Sequence, residues 1–559
     1  MKNRSIQADT IELVLGLRFS LVVCCLVFPF TERVIQAQRV QTRGTGTQSS
    51  RNTTVLSPAA RAAMDAAVAQ LQQGALAEAE RAARQAVLTA PQSAVAHNLL
   101  GVVLDRAGRA EEGYVEFTKA TKLDPNFVSA LNNSARYLAE HGQTKQAIAQ
   151  FERVLKLDPG HVQAHYNLGS LYRDAGEFVK AAEHFSQARK AEPDDPQLAL
   201  AFLSVAYRAD RSAEADAAAA LVERVASDDA RGLFTLATAI AQGGQYDHAA
   251  RLFARVNELT PHTFEVLYNL GIALYNIDRN DEAAKYLAEA ADLDPRPAET
   301  HLRLGLIASA RNDWANAITE FKHVLDRDAK NASYHYLLGR EYFRVGYWDG
   351  AISEYTSAVK LEPKQAAYVL ARADAYYRKG DWSSSAQDFD LAAALDPSRS
   401  DIEYWQGYAH RAAGDFDLAR DFLQKFLLKN PDNVDALASL GYVAIEQGRP
   451  EDAEAPIKQA LKLDPNNVPV LYDYARLALK ERNFAEAAKR LQQVLANSPS
   501  YTAAHYQLFL AYTRLKQTEL AQAELTEFKR LDALEKDSTK ERMADEKIRI
   551  QQMLNQLPQ

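Results

Sequence analysis

The chain has 559 residues, with 65 Lys+Arg against 73 Asp+Glu and a formal net charge of −8. Its 47% apolar and 25% charged residues are the make-up of folded soluble protein, which excludes disorder throughout. The acidic balance argues against a nucleic-acid partner, which would need a basic stripe, and the two cysteines, Cys24 and Cys25, are too few for a disulfide framework or a Cys-based zinc site.

At the N-terminus, Phe19–Phe30 is a run of twelve uncharged residues. A bilayer-spanning helix needs ~20 apolar residues, a secretory signal only ~7–15. Ile35-Gln36-Ala37 offers a small residue for cleavage and a mature start at Gln38. Adding Ile11–Leu17 would lengthen the run into an anchor, at the cost of carrying Glu12 and Arg18 into the membrane. Residues 1–37 are therefore expected to be a signal peptide or an N-terminal membrane anchor, with the cleaved signal preferred. The expected location is exported, periplasmic or associated with the cell envelope, with membrane contact only through this segment. Residues 38–59 are polar, lack a period and read as a flexible linker.

From Ala60 one ruler governs the chain. Prolines stand at 91, 125, 159, 193, 261, 295, 363, 397, 431, 465 and 499, every gap being 34 or 68, and the two skipped positions hold Ser227 and Ala329. A 34-residue period marks a helix-turn-helix unit repeated in tandem. With position 1 set at Ala60, position 20 is Ala in twelve of fourteen units, Gly113 and Ser385 being the exceptions, and position 8 is Gly in seven and Ala in five. Small residues there let two helices approach closely. Position 15 is mostly Gly, with Asp210, Asp278 and Asn312 in other units, types that tolerate a left-handed turn and can end the first helix. The proline at position 32 ends the second helix. Bulky residues at 7 and 24, such as Leu168 with Phe185, supply the packing face.

These residues resemble the tetratricopeptide repeat, most clearly in AHYNLGSLYRDAGEFVKAAEHFSQARKAEPDD and VLYNLGIALYNIDRNDEAAKYLAEAADLDP. The resemblance covers fourteen units over residues 60–535 and implies an all-α fold, a right-handed α-solenoid superhelix. Residues 196–229, with Leu203 at position 8 and no terminal proline, and residues 502–535, with Phe509 there, depart from the pattern. Residues 536–559 are expected to form a C-terminal capping helix.

The leader, linker and cap leave no room for a catalytic domain, and no nucleotide-loop, serine-nucleophile or zinc-protease motif occurs in the array. No enzyme activity and no cofactor or metal is expected. His161 and His165 have a metal-like spacing, but His161 falls in a turn and no third ligand is placed. His97, His165, His301, His335 and His505 share position 4, as a packing residue would.

Function must then come from a surface. In arrays of the family it resembles, the first helices line a concave groove. By that register the N-terminal half presents Asn132, Asn133 and Asn167, which could hydrogen-bond a peptide backbone. The C-terminal half presents Tyr268, Tyr336, Arg340, Arg344, Arg378, Tyr404, Trp405, Tyr408, Arg411 and Tyr442, with Tyr472 and Arg476 beyond, residue types enriched at binding hot spots. Trp314, Trp348 and Trp382 share position 17 and read as packing residues, whereas a tryptophan at the position of Trp405 departs from its unit-mates. The expected function is a non-enzymatic protein–protein interaction scaffold of the cell envelope that holds an extended polypeptide segment in the groove. The alternative is an accessory of polysaccharide export or modification, binding a glycan or a glycosyltransferase partner.

Overall fold

The computed structural model describes residues 56–399 and 401–556. Among them every regular element is helical, twenty-eight α-helices and one 3₁₀ turn. The call on residues 1–37 and most of the linker lie outside the described residues.

The register locates the helices almost to the residue. From repeat 2 the first helices open at position 1, as at Ala94, Val128, Val162 and Pro196 and on to Thr502, except in repeat 11, which opens at Asp401, and every second helix opens at position 17, from Leu76 to Thr518. The starts are set by caps. Where position 34 is Ser, Asp or Asn (Ser93, Asp229, Asn433, Asn467), its side chain accepts a hydrogen bond from a free backbone N–H of the first turn. The stops are set by position 31. Asp124, Asp158 and Asp464, each preceding a proline, leave the helical region with φ of −132°, −136° and −134°, as a residue before proline must. Asp328 takes the same conformation, φ −141°, although Ala329 follows it. Repeat geometry therefore imposes this ending even without the ring.

The chain forms two compact units that divide between Leu293 and Asp294. In each, the two helices of a repeat pack on one another and the second packs on the first helix of the next repeat, so each unit is an α-solenoid. The tight helix crossing is visible at position 8. A Cβ added to Gly101 would lie 2.6 Å from the ring of Phe117 and 2.9 Å from the Gly113 carbonyl, which brings positions 8, 20 and 24 into one contact. In residues 196–229 the volumes are exchanged: position 8 carries Leu203 and position 24 carries Ala219, both buried. The first helix there is short, Pro196–Ala206, and closes with a 3₁₀ turn, but it packs on both neighbours like any other repeat.

Position 15 is left-handed in every repeat. Nine are glycine, and the rest are Asp210, Asp278, Asn312, Arg482 and Lys516, with φ between 57° and 61°. The two basic residues were not anticipated; a linear chain pattern does not reveal that hairpin closure forces φ positive whatever the side chain. A second repeated device is the histidine at position 4. His97, His301 and His505 each donate Nε2–H to the carbonyl of the preceding repeat's proline at 3.0–3.1 Å and place Nδ1 against a carboxylate at position 23, Glu116, Glu320 or Glu524.

The C-terminus differs from expectation. The second helix of repeat 14 and the cap form one continuous helix, Thr518–Gln556, rather than two elements. Position 32 of that repeat is Ala533, and neither Gly nor Pro occurs before Pro558, so nothing breaks the helix.

Candidate functional site

The residues singled out by sequence fall into three groups. The first is buried. Tyr268 and Tyr336 are 1% exposed and Arg340 is 3% exposed, so their side chains belong to the core rather than to a ligand face. Tyr336 lies between Tyr355 and Tyr368, with ring centroids 5.8 and 5.4 Å away. Arg340 donates to Glu341 at 2.8 Å and to Ser309 at 3.1 Å, and Glu341 is fully buried. A guanidinium committed to a buried carboxylate is expensive to redirect. At these positions the side chains are large enough to join the core, Tyr336 packing on Tyr368 of the next first helix.

The second group is the asparagines of the N-terminal unit. Asn132 is buried, with Oδ1 unpartnered. Asn133 donates to Asn98 at 3.0 Å, one repeat away. Asn167 accepts from Gln163 at 3.3 Å, and its Nδ2 is buried without a partner. These amides pair partly with each other, so only part of the expected backbone-binding ladder is free.

The third group is a continuous strip on the first helices of repeats 10 to 13: Ala366–Lys379, Asp401–Ala413, Val434–Glu446 and Val468–Lys480. Tyr377 and Tyr408 approach to 5.6 Å, Tyr404 lies 5.8 Å from Tyr408, and Tyr404 meets Trp405 edge-on at 5.1 Å. Trp405 stacks nearly parallel on Phe389 at 6.3 Å, which accounts for its departure from the unit-mates. The Arg411 guanidinium lies 4.5 Å from the Tyr408 ring and 5.2 Å from Tyr442, and Arg476 lies 5.3 Å from Tyr442. Rings and guanidiniums thus alternate along the strip, each favouring the other through the ring quadrupole. Burial raises the phenol pKa of Tyr404, and burial with the neighbouring Tyr408 does the same for Tyr377, so both stay neutral.

Four of the five arginines are occupied. Arg340 and Arg344 share Glu341 and Ser309, Arg378 faces Asp374 at 3.5 Å, and Arg476 holds Glu446 and Asp473. Arg344 also covers the ring of Trp314 at 4.9 Å. Among the described residues the Arg411 side chain makes no ion pair and no hydrogen bond; it lies beside the two rings and acts at longer range on Asp435 and Asp473. Sequence reasoning missed the acids that border the strip. Burial lifts the Asp473 carboxyl to about 6 against the pull of Arg476, and burial likewise raises Asp435 and Asp374. Reading position 6 for acids as well as aromatics would have found Asp473.

Of the position-17 tryptophans, Trp348 packs edge-on with Phe343 at 5.1 Å, whereas Trp382 is 46% exposed. His161 caps its helix, its Nδ1 accepting from Ala164 N–H at 3.2 Å, while His165 faces His184 at 3.0 Å. No carboxylate joins that pair.

The tetratricopeptide repeat model matches residues 64–126, 132–196, 267–333, 336–400, 404–468 and 472–538, more than half of the chain. The chain belongs to the tetratricopeptide repeat family, which builds protein-interaction scaffolds. The unmatched interval includes repeat 5, where the volumes at positions 8 and 24 are exchanged. Among curated proteins, none matches the chain. Among solved structures it is similar to the Naa15/Naa10 complex bound to HypK-THB, at 14% identity over 89% of this chain and 100% of that one, TM-score 0.32. It is also similar to YrrB, described as a TPR protein with an unusual peptide-binding site, at 18% identity over 34% and 97%, TM-score 0.30. MamA from Desulfovibrio magneticus RS-1 is similar at 22% identity over 30% and 96%, TM-score 0.29.

Proposed function

We propose that the chain is a non-enzymatic scaffold that holds an extended, carboxylate-bearing polypeptide segment along the aromatic strip of repeats 10 to 13. The observation that carries this reading is Arg411, a half-buried guanidinium beside the rings of Tyr408 and Tyr442 with no carboxylate within ion-pair distance among the described residues, Asp435 and Asp473 acting on it only at longer range. Such a group is pre-ordered by its rings and keeps its planar set of donors for a ligand carboxylate. The flanking tyrosines offer flat, rigid contact area for side chains on either side. A peptide fits this strip better than a sugar, because guanidiniums alternate with the rings and the indole of Trp405 is committed to Phe389. The exported or envelope location is part of the same proposal and rests on the 1–37 segment; N-terminal sequencing of the mature protein tests it, a start at Gln38 supporting export and an intact leader supporting a tether.

The binding reading is tested by a pull-down from an envelope extract that compares partner recovery by the wild type, Arg411→Ala and Tyr404→Ala/Trp405→Ala/Tyr408→Ala chains. Loss of one hydrogen-bonded charge contact costs ~2–3 kcal/mol, or on the order of 30- to 150-fold in affinity. Equal recovery of the same partner by all three chains removes the strip from consideration.

A further inference from the structure

We infer that repeat 8 carries a divalent transition-metal site made by His301, Glu320 and His323. His301 stands on the first helix, Ala298–Ala310, and the other two lie one turn apart on the second, Trp314–Arg327. One ligand atom from each of the three residues lies within 4.8 Å of the other two. Glu-x-x-His on one helix with a ligand from a facing helix is an arrangement helical proteins use to hold metals.

The position-4 staple explains why these atoms are ready for a cation. The Pro295 carbonyl can only accept, so at 3.0 Å it fixes the proton of His301 on Nε2. The Nδ1 lone pair then points at Glu320 Oε2, 2.7 Å away, and two acceptors at that distance need a positive species between them. In repeats 2, 9 and 14 the same pair occurs, as His97–Glu116, His335–Glu354 and His505–Glu524. What separates repeat 8 is position 26. Repeat 2 has Lys119 there, its Nζ 2.7 Å from Glu116, repeat 9 has Ser357 and repeat 14 has Glu527. Repeat 8 has His323, whose Nδ1 is buried without a partner and whose ring meets that of His301 edge-on at 4.9 Å. His301 is 6% exposed, which shields the site from competing water.

Two imidazole nitrogens and one carboxylate, with a fourth position open, suit Zn²⁺. An ion bound there would draw the three ligand atoms to ~2.0–2.2 Å from a common centre. Bound there, the ion would clamp the two helices of repeat 8 and, through the Nε2–H bond, the turn at Pro295.

The test uses the untagged full-length chain titrated with Zn²⁺ alone by calorimetry, and with Co²⁺ followed by its visible absorption. The expected result is one tight ion per chain with a four-coordinate Co²⁺ spectrum. His323→Lys, which rebuilds the arrangement of repeat 2, is expected to lose the tight ion by about 100-fold or more while its circular dichroism is unchanged. Ser357→His, which copies the triad into repeat 9 around His335 and Glu354, is expected to raise the stoichiometry to two. A wild type that binds no tight ion, or a His323→Lys chain that keeps it, overturns the assignment. So does a Ser357→His chain that stays at one.

Discussion

Replacing Gly101 by alanine tests how closely the two helices of a repeat approach. The added Cβ would fall 2.6 and 2.7 Å from Cε1 and Cδ1 of Phe117 and 2.9 Å from the carbonyl oxygen of Gly113. Carbon atoms pack at ~3.5–4.0 Å, so the shortfall is close to 1 Å. Phe117 is 1% exposed and has no free volume to enter, and the Gly113 carbonyl belongs to the opposing backbone. Overpacking of this kind costs ~1–3 kcal/mol, while alanine returns ~1 kcal/mol of helix propensity over glycine. Because backbone is in the way, the upper part of that range applies, leaving a net loss of about 1–2 kcal/mol. In an array this is read locally, as hydrogen exchange across residues 94–123 that is about 5- to 30-fold faster than in the wild type. Gly441→Ala supplies the contrast. There the obstacle is the Ile457 side chain at 2.5 Å, and the nearest carbonyl, Ala453, is 3.6 Å away. Ile457→Ala should therefore relieve the clash of Gly441→Ala, while Phe117→Ala leaves the Gly113 clash of Gly101→Ala in place. Unchanged or slower exchange in Gly101→Ala would refute the close crossing of position 8 on positions 20 and 24.

Three further outcomes follow from named contacts. Arg482 and Lys516 hold φ of 61° and 60°, so Arg482→Gly and Lys516→Gly should each stabilise their hairpin by ~1 kcal/mol in urea unfolding, because a left-handed side chain costs about that much; a loss would contradict the left-handed assignment. Glu341→Ala leaves Arg340 buried without its carboxylate and should cost ~3–5 kcal/mol, seen as faster exchange across residues 332–344; a chain that keeps its stability but loses a partner would instead return Arg340 to the binding face. Asp473 holds a proton up to about pH 6 in the folded chain against a usual 3.8, so its contribution to stability falls as pH rises from about 4 to about 6. Asp473→Asn should therefore be more stable than wild type at pH 7, by about 2 kcal/mol once the lost Arg476 bond is counted, with the advantage gone at pH 4; an advantage independent of pH would rule out that titration.

The two levels of description divide sharply at the arginines. Arg340, Arg344, Arg378 and Arg411 look alike along the chain, since each sits at a groove-side register position. Tertiary packing separates them: Arg340 sinks against Glu341 on its own helix, Arg344 and Arg378 find carboxylates one turn away, and Arg411 alone among these four lies beside two rings with no acid at ion-pair distance. The tyrosines divide the same way. Tyr336 and Tyr404 share position 5, yet the first is core and the second is half-exposed on the strip. Nothing in the linear pattern records how large the neighbouring repeat's side chains are, and that decides which of the two occurs.

By itself the sequence determined the repeat: its period, the helix starts at positions 1 and 17, the small residues at the crossing and the helical character of every regular element among the described residues. These follow from local chemistry, because proline, glycine and capping side chains act on the backbone within a turn of where they stand. Only the tertiary structure decided the division at Leu293, the fusion of the last two elements into Thr518–Gln556, the buried status of Tyr268, Tyr336 and Arg340, and the meeting of His301, Glu320 and His323. Each of these depends on atoms brought together from different helices, or on a terminator that the local pattern leaves out. The length of the chain is spent on copies of one hairpin, and the copies differ in the side chains they set on their first helices.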